Sequence, residues 1–256
     1  MFDEPRYRQN QLSLILFPPS KDVRRKAIQF EEKLKDMMEG TDGGYFPAVV
    51  HSVPDELDPQ IPRVTFNSEH SFSSINISQA SIVLTIGYSD DWQTESDKRN
   101  QYIMERIPVL FGLKELLIET QVLFCGFSSL VHLSTLMNDT EIIRHLSTKY
   151  FHELRDDPQI YDLELKRSFV IDDKYFNTIS IANYRSINFA FNPNDMNPLL
   201  GKVIEQGIQI VSDFNDKYQL SQGMEAYRSS EETVRRVVEL ALDSVQQEAM
   251  RIIDTK

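Results

Sequence analysis

Hydrophobic and polar residues follow two rhythms along this chain, one of period two and one of three to four, and the two alternate. Leu12, Leu14 and Leu16 interleave with Ser13, Ile15 and Phe17, which predicts a short strand apolar on both faces and ended by Pro18-Pro19. Ser20 is placed to cap a helix running to Glu39, because Ala27, Phe30, Leu34 and Met37 recur at helical steps. Gly40 and Gly43-Gly44 stop it. Strands are expected at residues 46–50, 63–66, 72–77 and 81–87. In the last of these, Ile82, Leu84 and Ile86 alternate with Val83 and Thr85, the pattern of a central strand covered on both faces. A second helix opens at Thr94 or Ser96, and Pro108, lacking an N–H, is expected to kink or restart it.

The second half repeats this order. Residues 121–135 read as one strand or a bent pair around Gly126, and Asn138 or Asp139 then caps a helix striped by Ile143, Leu146, Tyr150 and Leu154. Asp156-Asp157-Pro158 ends that helix. Residues 161–171 and 175–191 form a hairpin around Asp172-Asp173, and residues 207–214 add a strand. Ser229 with Glu232 reads as a capping-box pair opening a last helix, whose core stripe is Val234, Val237, Val238, Ala241, Val245 and Ala249. The strongest loops are the Asn/Pro-rich stretch 192–198 and the Pro/Asp-rich stretch 52–62.

The expected fold class is therefore α+β: a two-layer sandwich, mainly antiparallel sheet with helices on one face, built by internal duplication of a βαβββα unit. The halves are 1–120 and 121–256, packed as one compact unit because no Gly/Ser-rich linker separates them. The duplication rests on element order, since the halves share no residue-level identity.

Composition narrows the function. The chain has 256 residues, 41% of them hydrophobic, enough for a sizeable core. Its 27 Lys and Arg against 39 Asp and Glu leave −12, which argues against wrapping nucleic acid by charge. Apolar runs are far shorter than the ~18–20 residues of a membrane span, and residues 1–8 are charged, so neither a membrane nor a secretory leader is expected. A lone Cys125 fits a reducing, cytoplasmic setting.

Candidate chemistry is sparse. With nine glycines and no G-x-G-x-x-G or P-loop, no nucleotide cofactor is expected, and kinase and G-x-S-x-G signatures are absent too. Glu141, His145 and His152 can share a helix face but spread too far along it to hold one ion, so no metal is expected. Cys125, in an apolar run, reads as a buried hydrophobe. The acidic pairs read as turn chemistry, with Asp213 the one that stands out. Arg6, Tyr7 and Arg8 form a small basic–aromatic arm, a weak nucleic-acid signal. Aromatics crowd the expected strand ends, among them Trp92, Tyr88, Tyr175, Phe176, Tyr184, Phe189 and Phe191.

These features point to a non-enzymatic cytoplasmic interaction protein. It is expected to bind through Trp92, Tyr88, Tyr184, Arg185 and Asp213, to form a homo-oligomer, and to suit a basic partner that it neutralises or assists. The alternative is an enzyme or small-molecule site around Asp213, His132, Arg185 and Tyr184. Nucleic acid ranks last as a partner.

Overall fold

The computed structural model describes residues 1–39, 43–70, 72–150, 160–188 and 202–254. Gly40, His152, Leu154, Asp156-Asp157-Pro158, Phe189, Phe191 and the loop 192–198 lie outside the described residues. The fold is mixed α+β and dominated by sheet. Among the described residues the strands are β1 (Arg6–Phe17), β2 (Val49–Val50), β3 (Pro62–Asn67), β4 (Ser73–Ser78), β5 (Ser81–Gly87), β6 (Gln121–Ser134), β7 (Glu164–Ile171), β8 (Tyr175–Asn188) and β9 (Lys202–Asn215). The helices are α1 (Ala27–Met38), α2 (Ser96–Glu115), α3 (Asp139–Tyr150), the single turn α4 (Tyr218–Ser221) and α5 (Glu231–Ile253). All nine strands join one sheet in the order β2-β3-β4-β5-β1-β6-β9-β8-β7, with every ladder antiparallel.

The period-two pattern decides which face is buried. Leu12 and Leu14 of β1, Leu84 and Ile82 of β5, and Phe127 and Cys125 of β6 lie opposite one another in register and form the core with α1, α2 and α5. The alternate positions, Ser13, Val83, Ser128 and Val211 among them, are only half-buried. β5 is thus covered on one face rather than two: Val83 and Thr85 look away from the helices because antiparallel sheets tolerate one solvated face. β1 and β9 are longer than expected, and β2 keeps two residues of the expected five. The basic–aromatic arm is part of β1, with Tyr7 in the core. Asp172 and Asp173 both adopt positive φ, 52° and 51°, at the centre of the turn closed by Lys174 N donating to Ile171 O at 3.0 Å, within the three-residue connection from Ile171 to Tyr175.

Helix ends show how local chemistry is resolved. The segment after Ser20 begins with a short 3-10 turn, so α1 starts at Ala27. Asn138 and Glu141 form a reciprocal capping box at α3, each side chain accepting the other's backbone N–H. The cap of α5 is Ser230, which accepts from Thr233 N, one residue later than the sequence suggests. Ser229 is instead drawn inward, its hydroxyl donating to the fully buried Asp216. Asp216 also accepts from Cys125 N at 2.7 Å and the Tyr227 hydroxyl at 2.7 Å, tying β6 to the approach of α5.

Pro108 does not restart α2, which runs unbroken through it. A proline there leaves the Met104 carbonyl without its i+4 donor. Arg235 of α5 supplies one, its Nη1 donating to that oxygen at 3.4 Å. Arg235→Met is therefore expected to lower stability by about 1 kcal/mol in the parent chain. In a Pro108→Ala background, where residue 108 regains its N–H, the same substitution should cost measurably less. Urea unfolding of the four variants in this cycle reads the coupling, and equal costs in both backgrounds would show that the carbonyl does not depend on Arg235.

Candidate functional site

The richest polar cluster on the half-buried face lies where β1, β6, β8 and β9 run past the end of β5. A register shift between Tyr7 and Gln9 marks a bulge in β1 against β6, and Arg8 is the residue left over. Its guanidinium reaches Glu205 of β9 through Nη2, at 2.6 and 2.7 Å to the two carboxylate oxygens. Nη1 donates to Gln93 Oε1 at 3.0 Å, and Nε donates to His132 Nδ1 at 3.3 Å. Glu205 also accepts from Ser134 Oγ at 2.6 Å and from the Tyr184 hydroxyl at 2.9 Å. The Tyr184 ring stacks on His132, centroids 4.0 Å apart. Gly207 lets the strands approach closely enough for these bonds: a Cβ there would sit 2.0 Å from the Leu133 carbonyl oxygen of β6.

Charge states follow from these contacts. Burial, joined by the Arg8 charge, lowers the His132 pKa against smaller opposing pulls from Glu205 and Gln209. The ring is neutral at pH 7, and the bond from Arg8 to Nδ1 puts its proton on Nε2. Burial raises Glu205, but bonds from Ser134 and Tyr184 and the Arg8 charge outweigh it and hold the carboxyl below its usual range. Burial and the bond to Glu205 push Tyr184 up to about 12. The cluster is then a fixed ion pair beside a neutral, stacked ring pair, with the buried His132 Nε2 left without a partner among the described residues. Arg8 and Glu205 keep 23% and 26% of their side-chain surface exposed, so the pair is accessible from solvent.

The residues anticipated from sequence fall in different places. His132 and Tyr184 come together. Asp213 lies on the same face, opposite Ser128, whereas His132 pairs with Gln209; four residues of β6 put it roughly 13 Å away. Arg185 follows Tyr184 and so points to the helix side, bonded to Asp139 at 3.3 Å and to Asp162, with its guanidinium 3.8 Å from the Tyr161 ring centroid. Asp213, His132 and Arg185 therefore do not line one pocket. Tyr88 is buried on the helix side, its hydroxyl accepting from Asn10 at 2.9 Å. Trp92 packs against Phe72 and Tyr102. Sequence reasoning missed Glu205 and Ser134 and placed Arg8 in an arm, and no local signal distinguishes Glu205 among the acidic residues. Burial raises the Cys125 thiol well above its ordinary pKa, and Asp216 adds to the effect.

No protein-family model and no curated protein matches this sequence.

The His132 shift has a sign that can be checked. A histidine whose folded pKa is depressed stabilises the fold fully above its unfolded value, near 6.5, and loses that contribution as pH falls through the folded value. His132→Gln removes this linkage. The stability of the parent chain relative to the variant should hold steady between pH 8 and about 7, then fall as pH drops below about 6.5. Urea midpoints at pH 7.5 and 5.5 measure it, and a parallel pH dependence in both chains would show that His132 is not buried in the neutral form.

Proposed function

We propose that the protein works by protein–protein binding, that the half-buried face of its sheet is the binding surface, and that its occupant is a second copy of the chain. The observation that carries this reading is the one-sided sheet. α1, α2 and α5 cover one face, while on the other only α4 reaches a strand residue among the described helices, where Tyr218 meets Phe176 edge-on. At ~3.3 Å per residue and ~4.8 Å per strand that face spans roughly 1,300 Å². A standard interface takes ~800 Å² from each partner.

Two further features favour a copy of itself. Ile15, Val83, Leu130 and Val211 stand on this face among Ser, Thr and Gln side chains, a mixture typical of interfaces that also tolerate water. Opposite charges balance there, Arg6 and Arg8 against Glu205 and Asp213, so most of the −12 lies elsewhere and two such faces meet without bringing it together. The strand order supports the duplicated architecture: outward from the central β1/β6 pair, β1-β5-β4-β3 on one side answers β6-β9-β8-β7 on the other. We read these as two βαβββα halves, 1–120 and 121–256, in a two-layer arrangement. No described helix is long and apolar enough to cross a membrane.

Size-exclusion chromatography with light scattering tests the reading. The chain is expected to run at twice its 29.8 kDa. Leu130→Lys, in the middle of the face, should return it to a monomer with an unchanged circular dichroism spectrum. A monomeric parent chain at high micromolar concentration, or a variant that remains dimeric, overturns the proposal.

A further inference from the structure

On the helical side, away from the open face, α1, α2 and α5 border a depression of about 510 Å³. Met37, Met104 and Val109 give it apolar walls, and Glu105, Arg106 and Arg235 bring charge to it. That volume falls within the range of small-molecule sites.

Arg106 sets this depression apart. Its side chain is 1% exposed, and the guanidinium carbon lies 4.2 Å from the Tyr102 ring centroid. Among the described residues it donates no hydrogen bond; its buried Nε has no partner, which is equally true of Nε in Arg63 and Arg99, so the difference lies in the two Nη groups. The nearest carboxylate oxygen, on the half-exposed Glu105, is 4.0 Å away, beyond hydrogen-bonding distance. Two other buried arginines are supplied differently. Arg63 donates to the carbonyls of Pro54, Leu57, Asp58 and Ile61, and Arg99 to those of Trp92 and Gln93 at 2.9 and 2.7 Å. Burying a guanidinium without acceptors is costly. Its planar fork of N–H donors matches a carboxylate in two-pronged fashion.

We propose that this depression binds a small amphipathic carboxylate, with its headgroup on Arg106 and its apolar tail against Met37, Met104 and Val109. The thioethers adapt to the shape of a flexible tail. Arg235, held by Glu231 and the Met104 carbonyl, adds positive charge without competing for Arg106. Glu105 is the resident anion that the ligand displaces, which makes its removal informative. The site is on the opposite side of the sheet from the proposed dimer face, so either proposal can fail without the other.

Isothermal titration of the full chain with sodium octanoate tests it, with 1-octanol and inorganic phosphate as controls. Octanoate is expected to bind, and both controls to bind at least about tenfold more weakly, because each lacks one half of the ligand. Arg106→Met should weaken octanoate by about tenfold or more, while Glu105→Gln should tighten it several-fold. Glu105 is on the surface and its replacement leaves the core untouched, so that variant decides the matter even if Arg106→Met does not fold. Octanol binding as tightly as octanoate, equal octanoate affinity in the parent and Arg106→Met, no gain in Glu105→Gln, or no octanoate binding at millimolar concentration each overturns the proposal.

Discussion

The antiparallel ladder between β1 and β6 is the constraint on which the rest of the molecule depends. It joins residues more than a hundred positions apart, and every strand on either side of it hangs from one of the two. Forming such a contact requires closing a long loop before any packing rewards it. The reward is immediate once the ladder is in register: Leu12 meets Phe127 and Leu14 meets Cys125 on the core face, which gives the helices of both halves one continuous floor. A slip of one residue would turn that floor outward. The buried Asp216 adds a second tie at the same place, since it holds the Cys125 N–H and the chain leading into α5 together.

The same ladder produces the polar cluster through an irregularity. Without the bulge at Arg8, β1 would present that position in ordinary alternation, opposite a β6 residue, with no surplus reach across to β9. Gly207 does the complementary task on the other strand by letting β9 come close to Leu133. Glu205 then gains Arg8, Ser134 and Tyr184 at once, and His132 is left neutral under the Tyr184 ring. Arg8 and Glu205 are thereby fixed to one another and to their neighbours, while the buried Nε2 of His132 keeps no hydrogen-bond partner among the described residues.

Much of the fold was legible because its elements carry strong periodicity. The strand at residues 81–87 matches β5 from end to end, and the stripe Val234, Val237, Val238, Ala241, Val245 and Ala249 is the buried face of α5. The first turns of β9 were not legible, since Val203 and Ile204 are adjacent apolar residues that break the alternation where the ladder to β8 also shifts register. The unbroken run of α2 through Pro108 was not legible for a different reason: the donor that takes the freed Met104 carbonyl, Arg235, is remote in sequence. The aromatics separate in the same way. Tyr88 and Tyr184 look alike in the chain, yet one faces Asn10 and Arg99 in the core and the other faces His132 on the open side. Only the register of β5 and β8 separates them.

Among the described residues, three buried arginines show how far local backbone decides what a buried charge receives. A guanidinium entering the core needs oxygen atoms, and irregular backbone can turn carbonyl lone pairs toward it more readily than regular helix can. The irregular loop before β3 turns four carbonyls toward Arg63, those of Pro54 and Asp58 also accepting backbone N–H groups, and the bend ahead of α2 turns two toward Arg99. Within α2 the carbonyls are occupied by the helix itself, except the one Pro108 releases, and Arg235 has taken that. Arg106, two residues before the proline, is therefore left with a ring face and a distant carboxylate. Among the described residues its Nε is left without an acceptor, on a helix whose own carbonyls are already engaged.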